Sequence, residues 1–127
     1  MPTGQTIAVK RIYAPPEDGD GARFLVDRLW PRGVSKEKAD LTAWLKALAP
    51  SDALRERFHH AAAQSDAAWH AFRDAYFAAL DAGGDEVAAA LAEIDAAAKK
   101  GPVTLLFAAK DEAHNNAVAL REWLERR

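Results

Sequence analysis

Two stretches of this chain are apolar almost without interruption, while the sequence between them returns to apolar residues mainly at helical spacing. Phe24-Leu25-Val26 lies in the first stretch and Val103-Thr104-Leu105-Leu106-Phe107-Ala108 forms the second. Short runs of this kind, bounded by turn residues, predict strands covered on both faces. We read the first strand of this type as Arg23 to Leu29, broken by Trp30-Pro31-Arg32-Gly33, and the second as Val103 to Ala108. A third β-leaning segment, Thr6 to Tyr13, carries Ile7, Val9 and Ile12. The prolines and glycines of Ala14 to Gly21 mark a loop between these strands. Its acidic residues lack the spacing and terminal glutamate of a calcium loop.

Helical periodicity fills the middle of the chain. Val34 to Asp40 reads as irregular or a single turn. Leu41, Trp44, Leu45 and Leu48 then recur at i, i+3, i+4 and i+7, predicting a helix that Ala49-Pro50 ends. Ser51 can cap a short helix carrying Leu54 and Phe58. Ser65 or Asp66 can cap a longer one with Trp69, Phe72, Tyr76 and Leu80 as its apolar stripe, stopped by Gly83-Gly84. Asp85 opens the next, with Val87, Leu91 and Ile94 on one face. Lys99-Lys100 suits its carboxyl end and Gly101-Pro102 stops it. Asp111 is read as the cap of a last helix reaching about Leu124, with Ala113, Ala117, Leu120 and Leu124 toward the sheet. Together these elements predict an α/β fold, a small, largely parallel sheet of about three strands covered by four or five helices. They show no repeat or linker, so residues 1–127 read as a single domain.

Composition narrows the class. A chain of 127 residues, 50% apolar and 28% charged, can bury a core without staples. No cysteine is present, which excludes disulfides, thiolate nucleophiles and cysteine-held metal centres. No window approaches a membrane span and Met1 to Thr6 lacks an apolar signal core. These features lead us to expect a cytoplasmic protein that does not enter a membrane. The net charge of −2 argues against general affinity for nucleic acid. Between residues 10 and 38, seven Lys and Arg stand against five Asp and Glu, an excess suited to a local anion site.

The candidate chemistry gathers where strands end. If the strands run parallel, the carboxyl ends of the two apolar runs share an edge, where open α/β sheets place their sites. That edge would collect Asp27, Arg28, Trp30 and Arg32 from one strand, and Lys110, Asp111, His114 and Asn115 from the other. Arg11 and Tyr13 join them if the first strand is parallel too. A helix beginning at Asp111 would place His114 in its first turn, with free backbone N–H groups nearby. Arginines offer planar paired donors to phosphate or carboxylate, and Trp30 or Tyr13 can stack a ring. Asp27 either pairs with Arg28 or serves as a base, and His114 titrates where proton transfer is useful. Trp44 and Trp69, lying on helical stripes, are assigned to the core. Adjacent histidines on a helix diverge by about 100°, so His59-His60 is not read as a chelating pair and no metal site is expected. Gly-x-Ser-x-Gly, Walker and dinucleotide-binding patterns are all missing.

Several of these residues, in this order, carry a resemblance. Lys10-Arg11-Ile12-Tyr13, Asp20-Gly21, Leu25 to Gly33, Trp44-Leu45-Lys46 and Leu48 to Ser51 resemble the YeaO-like proteins of the domain-of-unknown-function family numbered 488. So do Phe58-His59-His60, Thr104-Leu105-Leu106, Ala109-Lys110-Asp111 and His114-Asn115. The resemblance runs from about residue 7 to residue 124 and implies a small bacterial α/β domain. The wider family often has a cysteine after the Leu-Leu strand and a Cys-His-Arg near the following helix start. This chain holds Phe107 and His114-Asn115-Asn116 there, which removes any thiol chemistry and leaves the Asp27, Arg28 and Pro31 strand end as the shared part.

The expectation is a pocket for a small anionic ligand, phosphate-bearing or nucleotide-like, at the carboxyl edge. Arg28 and Arg32 would bind the anion, with Arg11, Tyr13, Trp30, Lys110 and Asn115 around it. Asp27 and His114 would act if the chemistry is hydrolytic or acid–base. No particular cofactor is implied. The alternatives are a nucleic-acid-binding or regulatory module without catalysis, and an interaction domain marked by an exposed Trp30 and Tyr13.

Overall fold

The second apolar run sits at the centre of the sheet although it is the last strand in the chain. The structure, a computed structural model, describes residues 7–59 and 65–127, with the His59 side chain left out. Four strands, β1 (Ile7–Arg11), β2 (Ala22–Leu25), β3 (Ala43–Trp44) and β4 (Val103–Phe107), line up as β1-β4-β2-β3, and every neighbouring pair is parallel. Ile7 stands opposite Val103 and Arg11 opposite Phe107 on one side of β4. On the other side, Ala22 faces Val103 and Leu25 faces Leu106. All five β4 residues are buried, as an unbroken apolar run between two partners requires. The helices are α1 (Lys36–Ala39), α2 (Asp52–His59), α3 (Asp66–Asp81), α4 (Asp85–Lys100) and α5 (Asn116–Arg126), with 3₁₀ turns at Asp18–Asp20 and Lys46–Leu48. The expected strand start at Thr6, the reading of Met1 to Thr6 and the comparison of His59 with His60 lie outside the described residues.

Strand alternation divides the core between the two faces. Phe24, Val26, Val103, Leu105 and Phe107 point into the larger cluster, shared with the buried stripes of α3, α4 and α5. Leu25 and Leu106 point the other way, into a thinner layer made by Ile12 and Ala39 with Trp30, Val34, Leu41 and Trp44. The α3 stripe of Trp69, Phe72, Tyr76 and Leu80 is buried as its spacing predicts, and Ser65 caps that helix through the Ala68 N–H. Ser51 likewise accepts from Leu54 at 3.1 Å. In α4 the most buried side chains are Ala90, Ile94 and Ala98, with Val87 and Leu91 at the margin.

Three expectations need correction. The segment from Leu41 to Leu48 is not a helix: Thr42 N–H donates to Arg23 O at 2.7 Å and Leu45 N–H to Leu25 O at 2.8 Å, drawing it onto β2 as a fourth strand. Its apolar residues serve opposite faces, Leu45 and Leu48 in the larger cluster, Leu41 and Trp44 against the smaller. The ladder at β2 also ends earlier than Leu29, its last backbone bond being Val26 N–H to Leu106 O at 3.1 Å. Finally, α5 begins at Asn116, not after Asp111. Asn115 caps it through the Val118 N–H, and Ala113 stays exposed before it.

Ahead of β2 lies a closed charge cluster. Asp20 accepts from Lys10 at 3.1 Å and from Arg23 at 2.5 Å, and Lys10 also reaches Glu17 at 2.7 Å. Arg23 is buried, and its remaining donors reach the Ala39 and Asp40 carbonyls. Burial pushes the Asp20 carboxyl up, but the bonds from the Glu17 N–H, Lys10 and Arg23 outweigh it and leave it below the ordinary carboxylate range. Gly21, at φ +65°, lets the chain enter β2 beside the Pro102 carbonyl, where a Cβ would stand 2.1 Å from the oxygen.

Candidate functional site at the carboxyl edge

Because the sheet is wholly parallel, β1, β2 and β4 release their chains at one edge. Ile12 is still tied to Phe107 O at 2.8 Å before the chain turns away to Tyr13. Asp27 follows β2 and Ala108 follows β4, and the two meet: Ala108 N–H donates to Asp27 Oδ2 at 2.9 Å. Asn116, in the first turn of α5, donates to Asp27 Oδ1 at 3.0 Å and to Val26 O at 2.9 Å. One carboxylate therefore fastens two strand ends and a helix start. Burial pushes Asp27 above the ordinary carboxylate range, because the Asn116 and Ala108 bonds that favour its charge fall short of the desolvation cost.

Above this knot lies a cleft of about 940 Å³, within the size range of small-molecule sites. It brings together Asp27, Arg28, Trp30, Arg32, Lys110, Asp111, His114 and Asn115. Arg11 and Tyr13 stand outside its lining. Arg11 Nε donates to Ala109 O at 3.0 Å and its guanidinium lies 5.0 Å from the Tyr13 ring centre; the Tyr13 hydroxyl donates to Arg32 O at 2.9 Å. These two residues brace the loops that form the rim.

Inside the cleft, several expected residues have structural partners. Arg28 pairs with Asp52 of α2 at 3.4 Å, not with Asp27, and Arg55 reaches the same carboxylate at 3.6 Å. Both arginines and Asp52 are about half exposed, so these pairs contribute little to stability. Trp30 donates to Val34 O at 2.7 Å and meets Trp44 edge-on at 5.4 Å between centroids. Asn115 is buried as the α5 cap, and its amide also donates to Asp111 O at 2.9 Å. Asp111 accepts from the His114 and Ala113 N–H groups, which hold its carboxyl below the usual range. His114 therefore stands before the helix, not within its first turn. Its ring stacks on Trp69 at 4.8 Å, and Phe58 and Phe72 continue the same aromatic wall at 4.9 Å from one another. Arg32 and Lys110 are exposed and have no ion-pair partner among the described residues.

Sequence reasoning did not single out Asn116, Arg55, Asp52, or Phe58 and Phe72 as cleft residues. Asn116 carried a faint signal, a polar residue beside a capping asparagine. The others join the site through the packing of α2 and α3, which periodicity alone does not position. Among the described residues, no group of three or more His, Asp or Glu is arranged to hold a metal ion. No helix among them is long and apolar enough to cross a membrane.

A small all-parallel sheet with its long helices on one face and a mixed-charge cleft at its carboxyl edge defines the class, a small parallel α/β fold. Within that class, the chain belongs to the domain-of-unknown-function family 488, matching the "Inactive DUF488-N3 subclade" over residues 6–127. It is 43% identical over 118 residues to "Uncharacterized protein YeaO" of Escherichia coli (strain K12), covering 93% of this chain and 96% of that one. It is 34% identical over 121 residues to "Uncharacterized protein Rv3073c" of Mycobacterium tuberculosis (strain ATCC 25618 / H37Rv), covering 95% of each. The same identity and coverage relate it to "Uncharacterized protein Mb3100c" of Mycobacterium bovis (strain ATCC BAA-935 / AF2122/97). No solved structure matches it.

Proposed function

We propose that this protein binds a small anionic ligand in the carboxyl-edge cleft and does not transform it. The observation that carries the reading is the presence of Arg32 and Lys110, exposed and without ion-pair partners among the described residues, on the lining of one cleft beside the Arg28–Asp52–Arg55 pairs. Such cations are available to a carboxylate or phosphate without first breaking a structural bond. Binding without turnover is favoured because both oxygens of Asp27 are occupied by fixed donors. The word "Inactive" in the description of the matching subclade points the same way. The ligand-binding residues in this reading are Arg28, Arg32 and Lys110, with Trp30, Asn115, Arg11 and Tyr13 shaping the loops around them. The cytoplasm is the compartment we assign, since a cysteine-free chain needs no oxidising environment to fold.

A second reading has one observation in its favour. Asp27 is a buried carboxyl pushed upward beside a cleft that also contains His114, an arrangement that acid–base catalysis uses. Nucleic acid is the weaker alternative, because carboxylates interrupt the cationic lining. Calorimetric titration with inorganic phosphate, acetate, AMP and a short DNA duplex at two salt concentrations tests these readings. A small anion should bind, and Arg32→Ala should weaken it by about tenfold, or 1.4 kcal/mol. Duplex binding that falls steeply with salt would favour the nucleic-acid alternative. Turnover of an ester or phosphate monoester that Asp27→Asn abolishes would favour catalysis.

A further inference from the structure

The cleft is much larger than a lone anion needs, and most of its wall cannot bind one. An inorganic phosphate has only five heavy atoms, far too few to fill about 940 Å³. Leu29, Trp30, Pro31, Pro50, Phe58 and Phe72 supply the apolar part of the lining. Leu29 is 58% exposed and adds apolar surface to the mouth of the cleft. The Phe58 and Phe72 rings tilt at 31° to one another, and Trp69 stacks behind Phe72 at 5.8 Å. Rings packed in this way form a stiff wall, against which another ring gains contact at little entropic cost.

The charges limit the anionic part of the ligand. Four cations line the cleft, Arg28, Arg32, Arg55 and Lys110, against the carboxylates of Asp27, Glu56 and Asp111. Asp52 lies between Arg28 and Arg55 and offsets one more positive charge. A triphosphate or nucleic-acid backbone would bring several charges into a nearly balanced field, with acidic groups close by. One anionic group can instead use Arg32 and Lys110, the cleft cations that have no ion-pair partner among the described residues.

Resting on the anion-binding reading above, we infer that the cleft takes an aromatic compound with a single anionic group, a ring bearing one carboxylate or one phosphate monoester. The ring lies on the Phe58–Phe72 wall, and the anionic group meets Arg32 and Lys110. This assigns Phe58 a specificity role that the cations alone do not provide.

The test titrates the full chain, by calorimetry and amide NMR, with 1-naphthoate, 1-naphthyl phosphate, inorganic phosphate and ATP. Both naphthyl probes should bind about tenfold tighter than inorganic phosphate or ATP. Their relative affinities separate a carboxylate from a phosphate source. Phe58→Ala should weaken the naphthyl probes about tenfold and leave phosphate unchanged, whereas Arg32→Ala should weaken all of them. Phe58→Leu, with urea midpoints measured alongside, gives a conservative variant if Phe58→Ala folds poorly. Inorganic phosphate binding as tightly as the naphthyl probes, with Phe58→Leu inert, overturns the aromatic assignment and leaves the anion site standing, and ATP binding as tightly overturns the limit to one anionic group. Naphthyl binding untouched by Arg32→Ala overturns the anionic part. Silence from every probe removes both readings.

Discussion

Strand β2 has an aspartate just before it and another just after it, and the protein treats them in opposite ways. Asp20 is held by two cations, Lys10 and Arg23, and its carboxyl lies below the ordinary range. Among the described residues Asp27 is hydrogen-bonded by neutral donors alone, the Ala108 N–H and the Asn116 amide, and burial outweighs these and the nearby Arg55 charge to leave its carboxyl above that range. The acid at the amino end neutralises a buried arginine, and the cluster has little left to offer a ligand. At the carboxyl end the cations are directed elsewhere, Arg28 to Asp52 and Arg32 and Lys110 to the cleft. The comparison shows how charge is spent on architecture at one end of a strand and kept available at the other.

The sharpest way to break this contrast is to remove Asp20. Asp20→Ala leaves Arg23, 3% exposed, without its carboxylate and should cost about 3–5 kcal/mol in urea unfolding. Asp27→Asn should cost less, about 1–3 kcal/mol, because the amide keeps one acceptor but turns its NH₂ toward a donor. Equal losses in the two variants would contradict the distinction.

The pH dependence separates them by sign. The stability contributed by Asp20 is fully present above its ordinary value of 3.8 and is lost as pH falls through its lowered value. Asp27 contributes most below 3.8 and loses that contribution as pH rises through its raised value. The stability gap between wild type and Asp20→Ala should therefore widen with rising pH. The gap to Asp27→Asn should narrow. Two slopes of the same sign in urea titrations across the acid range would refute this assignment. The smallest stability effect is expected for Arg32→Ala, within about 0.5 kcal/mol of wild type, since its side chain is exposed. A larger loss would mean that Arg32 braces the fold and is not free for a ligand.

The sequence made some parts of this arrangement readable and concealed others for identifiable reasons. The five buried residues of β4 and the α3 stripe follow directly from periodicity, because local pattern and final burial agree there. Leu41 to Leu48 misled because helical spacing was imitated by a strand and a 3₁₀ turn facing opposite layers. What decides that segment is the pair of carbonyls on β2, and no local pattern reveals them. The α5 start was displaced because two capping residues stand in tandem, and the earlier one, Asp111, closes a separate turn before Asn115 caps the helix. The edge bearing the candidate site was legible, since charged residues follow two apolar strands. Its wiring was not: Arg28 turns to Asp52, and Asn116 crosses from α5 to Asp27.

The place of β4 governs the order in which the molecule can be assembled. Strands β1 and β2 emerge first during synthesis and do not pair with each other; β2 can meet the short β3, but β1 awaits β4, which begins at Val103. Asp27 must wait longer still, until Asn116 has left the ribosome. A chain stalled before Val103 has its helical middle but only the short β2–β3 pair on which to rest it, so the nascent protein holds much of its apolar surface uncovered through most of translation. The cleft at the carboxyl edge is among the last features to exist, and a truncation that spares every residue before Val103 still removes it.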